Sequence, residues 1–146
     1  MENFLKELWQ RRAEEESSVK KTDRDVRIYF GIKSTIEKAT EAREQLEDLL
    51  QRVEVAVLRY TKSMDTLSLK KLREDNVEAV ATADYVRTLA HNTVIDELNL
   101  LSRQFQARGL DNTWRSDIGL DRGDVTRWSL AVGAELRSLA LEGEKP

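Results

Sequence analysis

The sequence predicts an all-α protein: a four-helix bundle with two long, coiled-coil-like central helices and a shorter N-terminal helix, forming one domain over residues 1–146. Three observations carry this. The only Pro is Pro146, so no proline ring interrupts a helix inside the chain. Charged residues make up 35% of the chain against 40% hydrophobic, the mix expected of long helices with one apolar stripe and a wetted back. Two long stretches also place apolar residues at alternating steps of three and four, which keeps them on one helical face.

The elements follow in order. In residues 2–21, Phe4, Leu5, Leu8 and Trp9 form a short stripe, followed by the charged run Glu14-Glu15-Glu16. This predicts a short helix held by its first turns. From Val26 to Ile32 the pattern fits either period: Val26, Ile28, Phe30 and Ile32 alternate like a strand, while Ile28, Ile32, Ile36 and Ala39 continue a helical stripe. With no second strand-like run to pair with, helix is the better reading, broken near Gly31 and restarting at the capping box Ser34-Thr35-Ile36-Glu37. The series Ile36, Ala39, Arg43, Leu46, Leu50, Val53, Val57 and Tyr60 then predicts one helix of more than six turns, with Arg43 its only polar member. Ser63-Met64-Asp65-Thr66 reads as the connection that follows.

The third helix is expected to begin between Ser68 and Asn76 and to run to Arg108, where Gly109 supplies a left-handed cap. Its seam is Val77, Val80, Asp84, Arg87, His91, Val94, Leu98, Leu101 and Phe105. A second stripe of Ala79, Ala83, Val86 and Ala90 widens the buried arc, as for a helix central to a bundle. Leu110 to Leu120 reads as a loop anchored by Trp114 and Ile118. Asp121 then caps a last helix with the stripe Val125, Trp128, Val132, Leu136 and Leu139, and residues 142–146 are a frayed tail.

Composition excludes several functions. The net charge is −3, with 16 acids and 16 bases in Met1–Asp75 and 11 acids against 8 bases in Asn76–Pro146. No positive field gathers nucleic acid or an anionic membrane, so nucleic-acid and membrane partners are disfavoured. The absence of Cys removes thiol catalysis, disulfides and thiolate metal sites, and a cytoplasmic location is expected from it, from the lack of an apolar run near the roughly 20 residues of a membrane span, and from an N-terminus without a secretory stretch. One His builds no multi-His metal site, and Thr88 stands where a Glu-x-x-His pair would need Glu, so no metal or cofactor is expected. Arg122-Gly123-Asp124 spells an adhesion tripeptide but serves here as the start of a capped helix.

The unusual feature is polar. Asp84, Arg87 and His91, spaced i, i+3 and i+7, fall on the face that carries Val80, Val94 and Leu98. Buried charge must be paired, so these groups are expected to meet each other or a facing group such as Arg43. Three readings stand: a buried ion-pair layer fixing helix register, a half-solvated opening of the seam, and a pocket in which Arg87 holds an anion while His91 acts as acid or base. The structural readings weigh more, since networks of this kind are common outside active sites. Opposite runs a second polar stripe, Asn92, Asp96, Asn99 and Arg103, which fits a solvated face or a contact with the Trp114–Arg115 loop or a second subunit.

Arg87-x-x-x-His91-Asn92, Ile95, Leu98-Asn99-x-Leu101 and Arg103, with Asp121-Arg122 opening the last helix, resembles the signature of a small bacterial helical family of unknown function. That resemblance covers the C-terminal half and implies no activity. Arg87 and His91 also resemble the Arg–His motif of the HEPN superfamily of helical nucleases and nucleotide-binding domains. The motif there has four to six intervening residues, and here there are three, so the match fails on spacing.

With no complete catalytic set, the expected function is a non-enzymatic bundle acting through protein contacts, by self-association as a homodimer or by regulatory binding. Phe4, Leu5, Leu8 and Trp9 are the expected interface. The competing reading is a metal-independent ribonuclease or nucleotide-binding domain using Arg87 and His91.

Overall fold

The computed structural model describes residues 23–143, all-helical with no strand among them. Helix α1 covers residues 23–38, α2 Arg43–Leu72, α3 Val77–Ala107, α4 the single turn Trp114–Asp117, and α5 Arg122–Gly143. Phe4, Leu5, Leu8 and Trp9 lie outside the described residues, so the fourth long helix among those described is α1, not the N-terminal stripe.

Helices α2 and α3, of 30 and 31 residues, form an antiparallel hairpin. Their cross-links fix the direction: Gln45 accepts from Arg108, Arg52 meets Glu97, and Tyr60 packs on His91. Helix α1 lies along the first half of α2, where the Tyr29 hydroxyl donates to Glu54 at 2.8 Å. Helix α5 packs on α2, with Gly133 against Thr61 and Thr126 hydrogen-bonded to Tyr60. The core gathers Tyr29, Ile32 and Ile36 of α1, Leu46 to Tyr60 of α2, Val94 to Phe105 of α3, and Val125, Trp128 and Val132 of α5. Trp114 and Ile118 plug one side of it, with Trp114 edge-on to Phe105 at 5.4 Å.

Several boundaries differ from the sequence expectation, each for a local reason. Gly31 does not break α1: the helix runs through it, and the Thr35 hydroxyl returns to the Gly31 carbonyl instead of opening a new helix. The helix expected from Ile36 to Tyr60 is two helices, because residues 39–42 leave the helical path and Ala42 takes a left-handed conformation (φ 57°) before α2 begins. Arg43 marks that start, exposed and paired with Glu47 one turn on. The connection expected at Ser63–Thr66 is helical. The hydroxyls of Thr61, Ser63 and Thr66 bond to carbonyls three or four residues back, so these residues fit inside α2 without competing for its backbone.

The true link is residues 73–76. Glu74 (φ 53°) closes α2, with the Glu74 and Asp75 amides bonding to the Lys71 and Lys70 carbonyls, and the Asn76 side chain then caps α3 by accepting from the Ala79 amide at 2.8 Å. At the far end of α3, Gly109 (φ 68°) supplies the expected left-handed cap, and Leu110 bonds back to the Phe105 carbonyl. The loop after it contains α4. Asp121 caps α5 through the Asp124 amide, as the sequence implies, and α5 extends to Gly143, past the point where fraying was expected.

The broad burial expected for α3 holds only in its second half. His91, Val94, Leu98, Leu101 and Phe105 are buried, whereas Val77, Tyr85, Val86 and Leu89 are exposed.

Candidate functional site

Asp84, Arg87 and His91 do share one face of α3, but they span a gradient of burial instead of forming a closed layer. The Asp84 side chain is 56% exposed, the Arg87 side chain 28%, and His91 only 3%. Arg87 Nε donates to Asp84 Oδ1 at 3.0 Å and its Nη2 to the Thr88 hydroxyl at 3.0 Å. Its pKa is raised, first by the bond to Asp84, with a smaller contribution from the Tyr60 hydroxyl that faces it from α2. Arg43 takes no part: it stands at the other end of α2, bonded to Glu47.

His91 sits below this pair. Its ring lies on the Tyr60 ring at 5.2 Å, inclined by 51°, and its Nε2 is buried with no hydrogen-bond partner among the described residues. Burial holds its pKa below the ordinary 6.5. A backbone hydrogen bond at Arg122 opposes that shift, and the charges of Arg122 and Arg87 reinforce it. Tyr60 completes the group by sharing a 3.0 Å hydrogen bond with Thr126 of α5. The imidazole is therefore held neutral against an aromatic ring, beneath a guanidinium that bonds Asp84 and Thr88 of its own helix and faces the Tyr60 hydroxyl of α2. A general acid or base needs a path for its proton to a reacting group, and among the described residues the buried Nε2 meets no acceptor.

Of the second polar stripe, Asn92, Asp96 and Arg103 are exposed, and Asn99 is drawn inward. Asn99 Oδ1 accepts from Arg115 Nε at 2.8 Å, which ties α3 to α4 as one sequence reading anticipated; Arg115 also donates to the Gly119 carbonyl at 3.0 Å. Arg115 is buried, and desolvation lowers its pKa.

Two features lie outside the sequence expectations. Asp25 of α1 is fully buried and receives Arg127 of α5 at 3.0 Å, while the same guanidinium reaches Asp124 at 2.7 Å. The partners lie 102 residues apart, beyond any periodicity argument. The second is an open groove between α2 and α3. Arg59, Lys62, Ser63, Thr66, Ala79, Thr82 and Val86 are among the residues lining a cavity of about 580 Å³ there. A second cavity of about 270 Å³ meets it at Arg59 and continues past Val55, Arg52 and Asp48, with Thr93 and Glu97 on the α3 side. Large apolar side chains flank this groove in solvent: Val55 is 41% exposed, Leu89 48% and Val86 51%. The signal was present in α3, where Tyr85, Val86 and Leu89 fall off the seam. Of these, Val86 falls with Ala79, Ala83 and Ala90 on an arc expected to be buried, and Tyr85 and Leu89 carry no expected role.

Among the described residues no helix is long and apolar enough to cross a membrane. No group of three or more His, Asp or Glu placed to hold a metal ion occurs among them. Comparison with protein-family models, with curated proteins and with solved structures gives no match.

Proposed function

We propose that this chain is a non-enzymatic helical bundle that acts through protein contacts, in the first place with a second copy of itself. The observation that carries the reading is a face of the α2–α3 hairpin that stands exposed among the described residues. Val55 and Leu58 on α2, with Tyr85, Val86 and Leu89 on α3, leave large apolar side chains in water along one side of the molecule. Single exposed apolar residues are ordinary, but several large ones on two adjoining helices, with Val55 and Val86 lining the groove between them, are the usual mark of a contact surface. The polar cluster supports the same reading, since His91 is packed as a core residue and Arg87 is spent on Asp84 and Thr88. Sedimentation equilibrium of the full chain at micromolar concentration tests it. A species of twice the 16.8 kDa chain mass is expected, and a clean single-chain mass overturns it.

A further inference from the structure

We propose that the outer face of α2 is a two-fold homodimer interface, with the partner's α2 running antiparallel across it and the axis passing beside Val55. This rests on the self-association reading and assigns it a face and a register.

The argument begins with the charges on that face. Glu44 and Asp48 precede Val55; Arg59 and Lys62 follow it. None of these four makes an ion pair among the described residues, although most neighbouring charges do: Arg43 with Glu47, Arg52 with Glu97, Lys70 with Asp75. At 100° per residue, Glu44, Asp48, Val55, Arg59 and Lys62 fall within one quarter of the helix circumference, on the side that lines the groove. The sign of the charge therefore changes across an exposed apolar centre.

A two-fold axis at residue 55 sets each position against its mirror in sequence. Asp48 then faces Lys62 of the second copy, Gln51 faces Arg59, Glu44 faces Thr66, and Val55 meets Val55. Leu58 and Arg52 lie on opposite flanks of this face, and the Arg52 guanidinium stays on Glu97 of its own chain. The Asp48–Lys62 contact occurs twice by symmetry, and Arg59, which approaches Arg52 of the second copy on one flank, meets a guanidinium already neutralised by Glu97 of that chain. A parallel arrangement would instead set Asp48 on Asp48 and Lys62 on Lys62.

Size is adequate. From Glu44 to Thr66 the face is about 33 Å long at 1.5 Å per residue. With the adjoining Val86–Leu89 row it covers roughly 600–700 Å² per partner, at the lower end of specific interfaces. Such an area gives a dimer whose strength depends on its register contacts, which makes the charge pairs decisive.

The test is a charge swap followed by sedimentation equilibrium of the full chain. All the positions are exposed, and melting curves verify that each variant is folded. Asp48→Lys alone and Lys62→Glu alone each place like charges together, and each is expected to weaken the dimer about tenfold or more. The double variant Asp48→Lys/Lys62→Glu restores the pair in reversed sense and is expected to recover most of the wild-type affinity. Val55→Arg, which sets two charges together on the axis, is expected to give monomer. A wild-type monomer overturns both this inference and the self-association reading beneath it. A wild-type dimer indifferent to Val55→Arg and to both single reversals overturns the assigned face and leaves self-association standing. If those three variants stay dimeric while deletion of residues 2–22 gives monomer, the contact belongs to the N-terminal stripe instead.

Discussion

Protonation of His91 inside its packed site should be visible as pH-dependent stability. Burial holds the folded-state pKa below 6.5, so the unfolded chain binds the proton first. The sign follows: the contribution is fully present above about pH 6.5 and is lost as pH falls from there through the depressed folded value. A His91→Phe variant keeps a ring against Tyr60 and removes the titration, so its melting temperature should fall less than the wild type's between roughly pH 7 and pH 5. Parallel curves would show that His91 is not the titrating group. At neutral pH the two ends of the polar cluster should also separate. His91→Ala empties a buried site and should cost about 2–3 kcal/mol. Asp84→Ala removes an exposed partner from an exposed i, i+3 pair and should stay within about 0.5 kcal/mol. Equal losses from the two would restore a closed ion-pair layer. The sequence located this cluster correctly on one face, but it could not rank the three residues by depth. Spacing gives the direction of a side chain around the axis and says nothing of where along the axis the covering helices stop.

Individual elements obey the same division. The apolar rows of α2, the second half of α3 and the first turns of α5 were legible because their burial is periodic, and the caps at Gly109 and Asp121 because their chemistry is local. The turn at residues 39–42 was not legible. It contains no Gly or Pro, and the row Ile36, Ala39, Arg43, Leu46 keeps helical spacing straight through a reversal of the chain. Its sole trace was the polar Arg43. Gly31, expected from the sequence to break its helix, yields with Gly133 an opposed pair of predictions. Gly31 lies inside α1 with no atom within 4 Å of an added Cβ, so Gly31→Ala gains helix propensity and should stabilise by up to about 1 kcal/mol. Gly133 lies inside α5, where the same Cβ would stand 2.7 Å from Thr61 Cγ2. Thr61 is β-branched and its hydroxyl is bonded to the Leu58 carbonyl, so it cannot swing aside freely. Gly133→Ala should therefore destabilise by about 1–3 kcal/mol, and Thr61→Ser should recover much of that loss. Chemical denaturation of the four variants checks the pair, and a stabilising Gly133→Ala would show that α5 does not approach α2 this closely.

At the scale of the whole molecule, burial is uneven along the α2–α3 hairpin, and that unevenness sets where the structure opens. Around Val53, Val57, Leu98, Leu101 and Phe105 four elements converge, and these side chains are essentially without solvent contact. Toward the link at residues 73–76 the hairpin thins. Leu69, Leu72, Val77, Tyr85 and Val86 are exposed, and Glu74 is held in the left-handed region where a side chain is disfavoured. The backbone hydrogen bonds of this end face water with little apolar burial behind them, which is the physical condition for local opening at low free energy. Amide exchange on the full chain should therefore show residues 69–82 exchanging many-fold faster than residues 94–105 of the same α3, although both segments are regular helix. The self-associated state sharpens the comparison, because an interface centred on Val55 covers the middle of α2 and leaves the link uncovered. Raising the protein concentration should slow exchange at residues 48–62 and leave residues 69–78 unchanged. Uniform protection along the hairpin would mean that the tip is covered by something else, and protection at the tip rising with concentration would move the contact surface away from Val55 and toward Leu72 and Val77.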